Sequence, residues 1–220
     1  MKTPSSAGPV GLKGLVLLML LLLSLHLSGC QAIRFLVYGL VPPAKGRWVP
    51  AQCEALSKGK RVLVLVYADQ AIQYQQDQLA RYNTAAFVAS ELQSKLKVEV
   101  VDPAAVEHFQ AADINWANQP LSKIGQRFHA DYVLYIELLE FTTAAEESGE
   151  LLRGRIQTNA SLYPTSAVDQ QLWQGNVEAV YPPDTPEVAD LGVAQRITDE
   201  TLRLFAEHLV KSFYGHYEPL

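Results

Sequence analysis

Five histidines, two cysteines and 23 carboxylates are the side chains of this 220-residue chain that could carry acid–base, nucleophilic or metal chemistry. His26, His108, His129, His208 and His216 show no His-Glu-x-x-His or His-x-His spacing, and Cys30 and Cys53 stand too far apart in sequence for a Cys-x-x-Cys pair. A structural zinc site and a disulfide scaffold are therefore excluded. No Gly-x-Ser-x-Gly surrounds a serine, and the glycines form no phosphate-cradling loop. Glu107-His108 and His129-Asp131 both fall near expected strand ends, where ligands gather in open α/β sheets. A histidine just before a strand is more often solvated, so neither pair is assigned a role. Asp69, closing an apolar run, suits a turn cap. Glu137 lies inside Tyr135-Ile136-Glu137-Leu138-Leu139, where a lone buried carboxylate is costly. A hairpin folding about Glu146 sets it opposite Arg155 as a structural cross-strand pair. The sequence thus predicts no catalytic residue, no metal and no cofactor.

The elements that would position these groups are legible from periodicity. Arg61 to Tyr67 reads as a strand buried on both faces. A helix follows, capped by Asn83 or Thr84, with Ala85, Val88, Leu92 and Leu96 as its apolar stripe. Val98 to Val101 is a second strand, stopped by Asp102-Pro103. Pro120 opens another helix with Leu121, Ile124 and Phe128 on one side, leading into a third strand from Tyr132 to Phe141. From Leu152 to Leu162, apolar and small residues alternate with Arg153, Arg155, Gln157, Asn159 and Ser161, so one face is covered and the other wet. Leu172 to Val180 is the last strand, and a long amphipathic helix runs from about Pro186 to Phe213, with Leu202, Phe205, Leu209 and Phe213 inward. The fold class is α/β (α+β), a mixed sheet of about five strands in the order β-α-β-α-β-β-β-α, with a long C-terminal helix. Val64, Leu92, Ile136, Ile156 and Phe205 are expected to share one core.

The first thirty residues read as an address. A basic start, then Leu15 to Leu27 with only Ser24 and His26 interrupting, is too short to span a bilayer, which takes about 20 apolar residues. Leu27-Ser28-Gly29-Cys30 directly after this run resembles the lipobox of bacterial lipoproteins, which implies acylation of the Cys30 thiol and cleavage before it. Two or more acyl chains hold stably at about 0.8 kcal/mol per buried CH₂. The implied mature chain of 191 residues loses Lys2 and Lys13 and keeps 16 cationic against 23 acidic side chains. Such a domain has no basic surface for nucleic acid, and its membrane contact rests on lipid rather than charge. Residue 31 is Gln rather than Asp, which by the same resemblance implies the outer membrane, facing the periplasm. Residues 30–59 read as acylated Cys and tether, 60–213 as the domain and 214–220 as a tail. Cys53 reads as a small buried or half-buried apolar residue.

Residues 60–213 carry a family resemblance. "RVLVLVYAD", "VEVVDPAAVEHF", "LSKIGQRFHADYVLYIELLEFT" and "LWQGNV" resemble a superfamily that includes the curli-secretion (CsgG-type) lipoproteins, the lipoprotein activators of penicillin-binding proteins and the amino-terminal domain of the TolB translocation protein. The passage Ile124-Gly125 to Asp131-Tyr132-Val133-Leu134 and the Leu172-Trp173 pair carry most of it. His129 stands where the family commonly has a small residue, and no insertion is long enough for a membrane-spanning hairpin. The resemblance implies a non-catalytic, lipid-anchored domain that docks to a cell-envelope complex for secretion, cell-wall synthesis or transport. The docking surface is expected on Arg153, Arg155, Gln157 and Asn159 with Tyr135 and Leu139 beside them, Arg153 being the unneutralised cation. The competing expectation is a small-ligand-binding auxiliary, which requires a pocket of convergent polar groups. Oligomeric state is not set by the sequence.

Overall fold

In the computed structural model the valine-rich run forms β1 (Arg61–Ala68), with residues 62–66 fully buried as expected for a strand covered on both faces. The structure describes residues 46–72, 79–144, 150–168 and 170–219. The expected leader, Cys30, the tether up to residue 45, most of the glutamine-rich patch and the hairpin turn at Glu146 lie outside these. Trp48–His216 form one compact unit, and Arg47 with Tyr217–Pro219 belongs to another, in which Arg47 and Glu218 approach to 3.9 Å.

After β1 come α1 (Ala80–Leu96), β2 (Glu99–Val100), α2 (Pro103–Ala112), a 3-10 turn at Trp116–Asn118 and α3 (Leu121–Arg127). Three long strands follow, β3 (Tyr132–Ala144), β4 (Leu151–Pro164) and β5 (Trp173–Tyr181), then the two-residue β6 (Glu187–Val188) and α4 (Leu191–Lys211). The sheet has the order β2-β1-β3-β4-β5, with β6 pairing to the start of β4. β1 is parallel to β2 and β3, whereas β3, β4 and β5 form an antiparallel meander. The main sheet with its helices is the mixed α+β arrangement read from periodicity, with one more helix and one more short strand.

The extra helix, α2, begins where the sequence reading placed only a strand stop. Asp102 accepts a hydrogen bond from the Ala104 N–H at 3.0 Å, and Pro103 occupies the first helical position, where its missing N–H costs nothing. α1 starts earlier than Asn83: its first turn closes with the Asn83 N–H donating to the Leu79 carbonyl at 2.8 Å. Burial of Ala80 extends the helix backward without a side-chain cap.

Two apolar layers flank the sheet. On one face α1 and α4 cover Val62, Val64, Val66, Ile136, Ile156 and Ala160; Leu92 and Phe205 complete this cluster, so the five expected core residues share it. On the other face, α2, the 3-10 turn and α3 cover Leu63, Leu65 and Val133, with Tyr67 and Tyr135 packed against them. Residues 48–59 lie against the domain: the Gln52 and Cys53 N–H groups donate to the Ser212 carbonyl at 2.8 and 3.1 Å, and Leu56 is buried. Cys53 is half-buried against the core.

Candidate functional site

Because the second helical layer stops at β1 and the beginning of β3, the outward face of the meander is uncovered among the described residues. Along β4, Leu152, Gly154, Ile156, Thr158, Ala160 and Leu162 are buried, while Arg153, Arg155, Gln157 and Asn159 are half-buried or exposed. The alternation read from the sequence is thus the real division between core and open face, except that Ser161 is buried too. The outward pairs across β3 and β4 are Tyr135 with Ser161, Glu137 with Asn159, Glu140 with Gln157 and Thr142 with Arg155.

This register corrects the expected Glu137–Arg155 pair. Glu137 faces Asn159, whose Nδ2 donates to its carboxylate at 3.5 Å. Arg155 instead sits between two other carboxylates, 4.0 Å from Glu140 and 3.9 Å from Glu178. The expected register differs by four residues, an even slip that keeps every inward residue inward, so the apolar pattern does not oppose it. Arg153 is likewise committed: its guanidinium donates to the Pro183 carbonyl. It is therefore not the unattached cation that the sequence suggested.

A β-bulge lies in the middle of this face. Leu138 pairs with Thr158 and Glu140 with Gln157, leaving Leu139 as the extra residue, and its side chain is 53% exposed. Bulges re-aim side chains in this way. Beside Leu139 is a hollow of about 270 Å³ lined by Gln157, Asn176 and Glu178. The sequence sets Leu139 beside this surface, but the bulge that turns it outward is not visible in periodicity.

Tyr135 stands at the margin between covered and open halves. Burial is the largest cause that pushes its hydroxyl up to about 12, with Glu137, Tyr67 and Tyr163 adding to it. It is therefore a neutral hydrogen-bonding group at physiological pH.

A second concavity lies beyond the C-terminal end of β1, the crevice side of an open parallel sheet. It measures about 450 Å³ and is lined by Tyr67, Asp69, Arg81, Gln110, Ile114 and Trp116. Its polar groups serve the chain itself. Asp69 accepts from the Ile72 N–H at 2.9 Å, as the turn-cap reading expected, and Gln110 donates to the Val66 carbonyl at 2.9 Å. Arg81 is bound to Glu107 at 2.6 Å. The His108 and His129 side chains are exposed. Asp131 accepts from the Arg61 N–H at 2.8 Å at the opposite, N-terminal end of the parallel strands, so the two histidine-containing pairs do not converge. Among the described residues no three His, Cys, Asp or Glu gather as a metal site, and no helix is long and apolar enough to cross a membrane.

No family model matches the chain, and no curated protein does. Among solved structures it is similar to the lipoprotein GNA1162 from Neisseria meningitidis, at 20% identity over 67% of this chain and 99% of that one, with a TM-score of 0.40. It is similar to the PelC dodecamer from Paraburkholderia phytofirmans, at 16% identity over 77% of this chain and 99% of that one, TM-score 0.43. It is also similar to the LpoB C-terminal domain from Salmonella enterica, at 14% identity over 58% of this chain and 87% of that one, TM-score 0.38.

Proposed function

We propose that this protein is a non-catalytic, lipid-anchored envelope domain that docks to a cell-envelope protein through the open face of its meander. One observation carries the docking surface: a β-bulge holds Leu139 outward in the centre of a sheet face that no helix covers among the described residues. A large apolar side chain surrounded by polar ones is the pattern of a binding anchor with its rim. Gln157, Asn159 and Arg155 form that rim, and Tyr135 bounds it. The anchor rests on the sequence, in which Leu27-Ser28-Gly29-Cys30 follows an apolar run and resembles a lipobox. The superfamily resemblance of residues 60–213 supports roles such as stabilising a secretion apparatus, activating a cell-wall enzyme or assisting a transport complex. The small-ligand alternative receives less support, since Asp69, Gln110 and Arg81 in the cleft already bond within the chain.

The test has two arms. Cys30→Ala is expected to release the chain into a soluble fraction or leave it unprocessed; unchanged detergent partitioning of a chain that is still processed refutes lipidation. A photo-crosslinking residue at Gln157 is expected to give one discrete protein adduct in intact cells, with none from Arg203, which is exposed on α4. Equal yields from both positions, or no adduct at Gln157, refute docking through this face.

A further inference from the structure

The open face carries more acid than base, and this selects its partner's chemistry. Around Leu139 stand Glu137, Glu140 and Glu178, and Arg155 bridges the last two at 4.0 and 3.9 Å. One guanidinium thus serves two carboxylates, while Asn159, the hydrogen-bond partner of Glu137, brings no charge. Arg153 is directed to the Pro183 carbonyl. A carboxylate without a compensating charge is tolerated while it is hydrated, and it must be paired when a partner removes that water.

We infer, resting on the docking reading above, that the partner is a protein segment presenting a lysine or arginine on either side of an apolar side chain. The apolar side chain packs on Leu139 and enters the hollow of about 270 Å³ lined by Gln157, Asn176 and Glu178. The flanking cations meet Glu137 on one side and the surplus charge of the Glu140–Arg155–Glu178 group on the other. The same charges disfavour the other occupants. A second copy docked face to face brings carboxylates against carboxylates, and an anionic membrane or nucleic acid meets a surface of its own sign.

The probes are three fluorescent peptides on one neutral Ser-Gly backbone, with Lys-Leu-Lys, Lys-Ser-Lys or Glu-Leu-Glu at the centre. Their anisotropy is read with the full chain in neutral detergent. The Lys-Leu-Lys peptide is expected to bind, more weakly as salt screens the charges. Glu137→Gln with Glu178→Gln, or Leu139→Asn, is expected to weaken it by roughly tenfold with little change in Tm, and serine at the peptide's centre to do the same. Glu137→Lys with Glu178→Lys is expected to switch preference to Glu-Leu-Glu, a gain that a misfolded variant cannot give. Absence of Lys-Leu-Lys binding, equal binding of Glu-Leu-Glu by the unmodified chain, or indifference to Leu139→Asn overturns the inference. So does self-association of the chain that Leu139→Asn abolishes, which would make a second copy the occupant. If Gln157 crosslinks a protein in cells while the charge variants leave that adduct unchanged, docking stands and the cationic partner falls.

Discussion

Gly154 of β4 lies directly beneath Thr201 of α4, so close that a Cβ at residue 154 would stand 1.9 Å from the Thr201 hydroxyl oxygen. That hydroxyl is itself fixed, donating to the Ile197 carbonyl at 2.6 Å, and the Ile197 Cγ2 would be 3.1 Å from the same Cβ. Helix and strand meet here without room for a methyl group. Gly154→Ala is expected to destabilise the domain by about 1–3 kcal/mol through overpacking. Chemical denaturation measures it, and coupling appears if Thr201→Ala, which removes the clashing hydroxyl oxygen, recovers part of the loss.

Phe205 is fully buried in the cluster that joins α4 to β1 and β3. Phe205→Ala is expected to cost about 3–5 kcal/mol, a large share of a stability of roughly 5–15 kcal/mol. A loss below about 1 kcal/mol would mean that α4 does not close this core.

Tyr135 supplies a prediction with a defined pH window. Its pKa is about 12 in the folded chain against an ordinary value of 10.0. Between these values the unfolded chain has released the phenolic proton and the folded chain still holds it, so stability falls as pH rises. Well below pH 10 the loss is absent, and it sets in as pH approaches 10. Burial also raises the Tyr214 pKa, so wild type and Tyr135→Phe are both expected to weaken in alkali. The wild type is expected to lose more between pH 9 and 11, read as denaturation midpoints. Equal losses would refute the burial of this hydroxyl.

Arg153 is half-buried and binds the Pro183 carbonyl. Arg153→Ala is expected to cost about 1 kcal/mol, a net hydrogen bond with an exposed acceptor, and to lower Tm by about 2–4 °C. An unchanged Tm together with lost crosslinking at Gln157 would restore Arg153 as a partner contact.

The strands and their inward faces were legible because they rest on short-range patterns. The run Val62–Val66 and the alternation from Leu152 to Leu162 each report burial residue by residue. Register was not legible, since slips of an even number of residues leave the same side chains inside. Pairing Glu137 with Arg155 rather than Asn159 was an error of this kind. Helix α2 was legible but unread: Asp102-Pro103 signals a helix start as strongly as it stops a strand. Of the site, Gln157, Asn159 and Tyr135 were placed on the correct face by alternation. The bulge at Leu139 depends on how two strands meet, and neither strand's sequence records that meeting.

The parallel pairing of β1 with β3 has a consequence for the order of folding. Arg61 and Asp131, bonded at the start of that ladder, are seventy residues apart, whereas Leu162 and Trp173 close the β4–β5 hairpin across a short turn. Loop-closure entropy favours the meander forming early, with β1 joining later as a distant strand. Val62, Val64 and Val66 pack on α1, but Ile156, Ala160 and Ala179 of β4 and β5 find their helical cover when α4, the last helix, has been made. A chain truncated before α4 would carry a meander with its apolar face naked, and its expected fate is aggregation rather than a smaller folded domain.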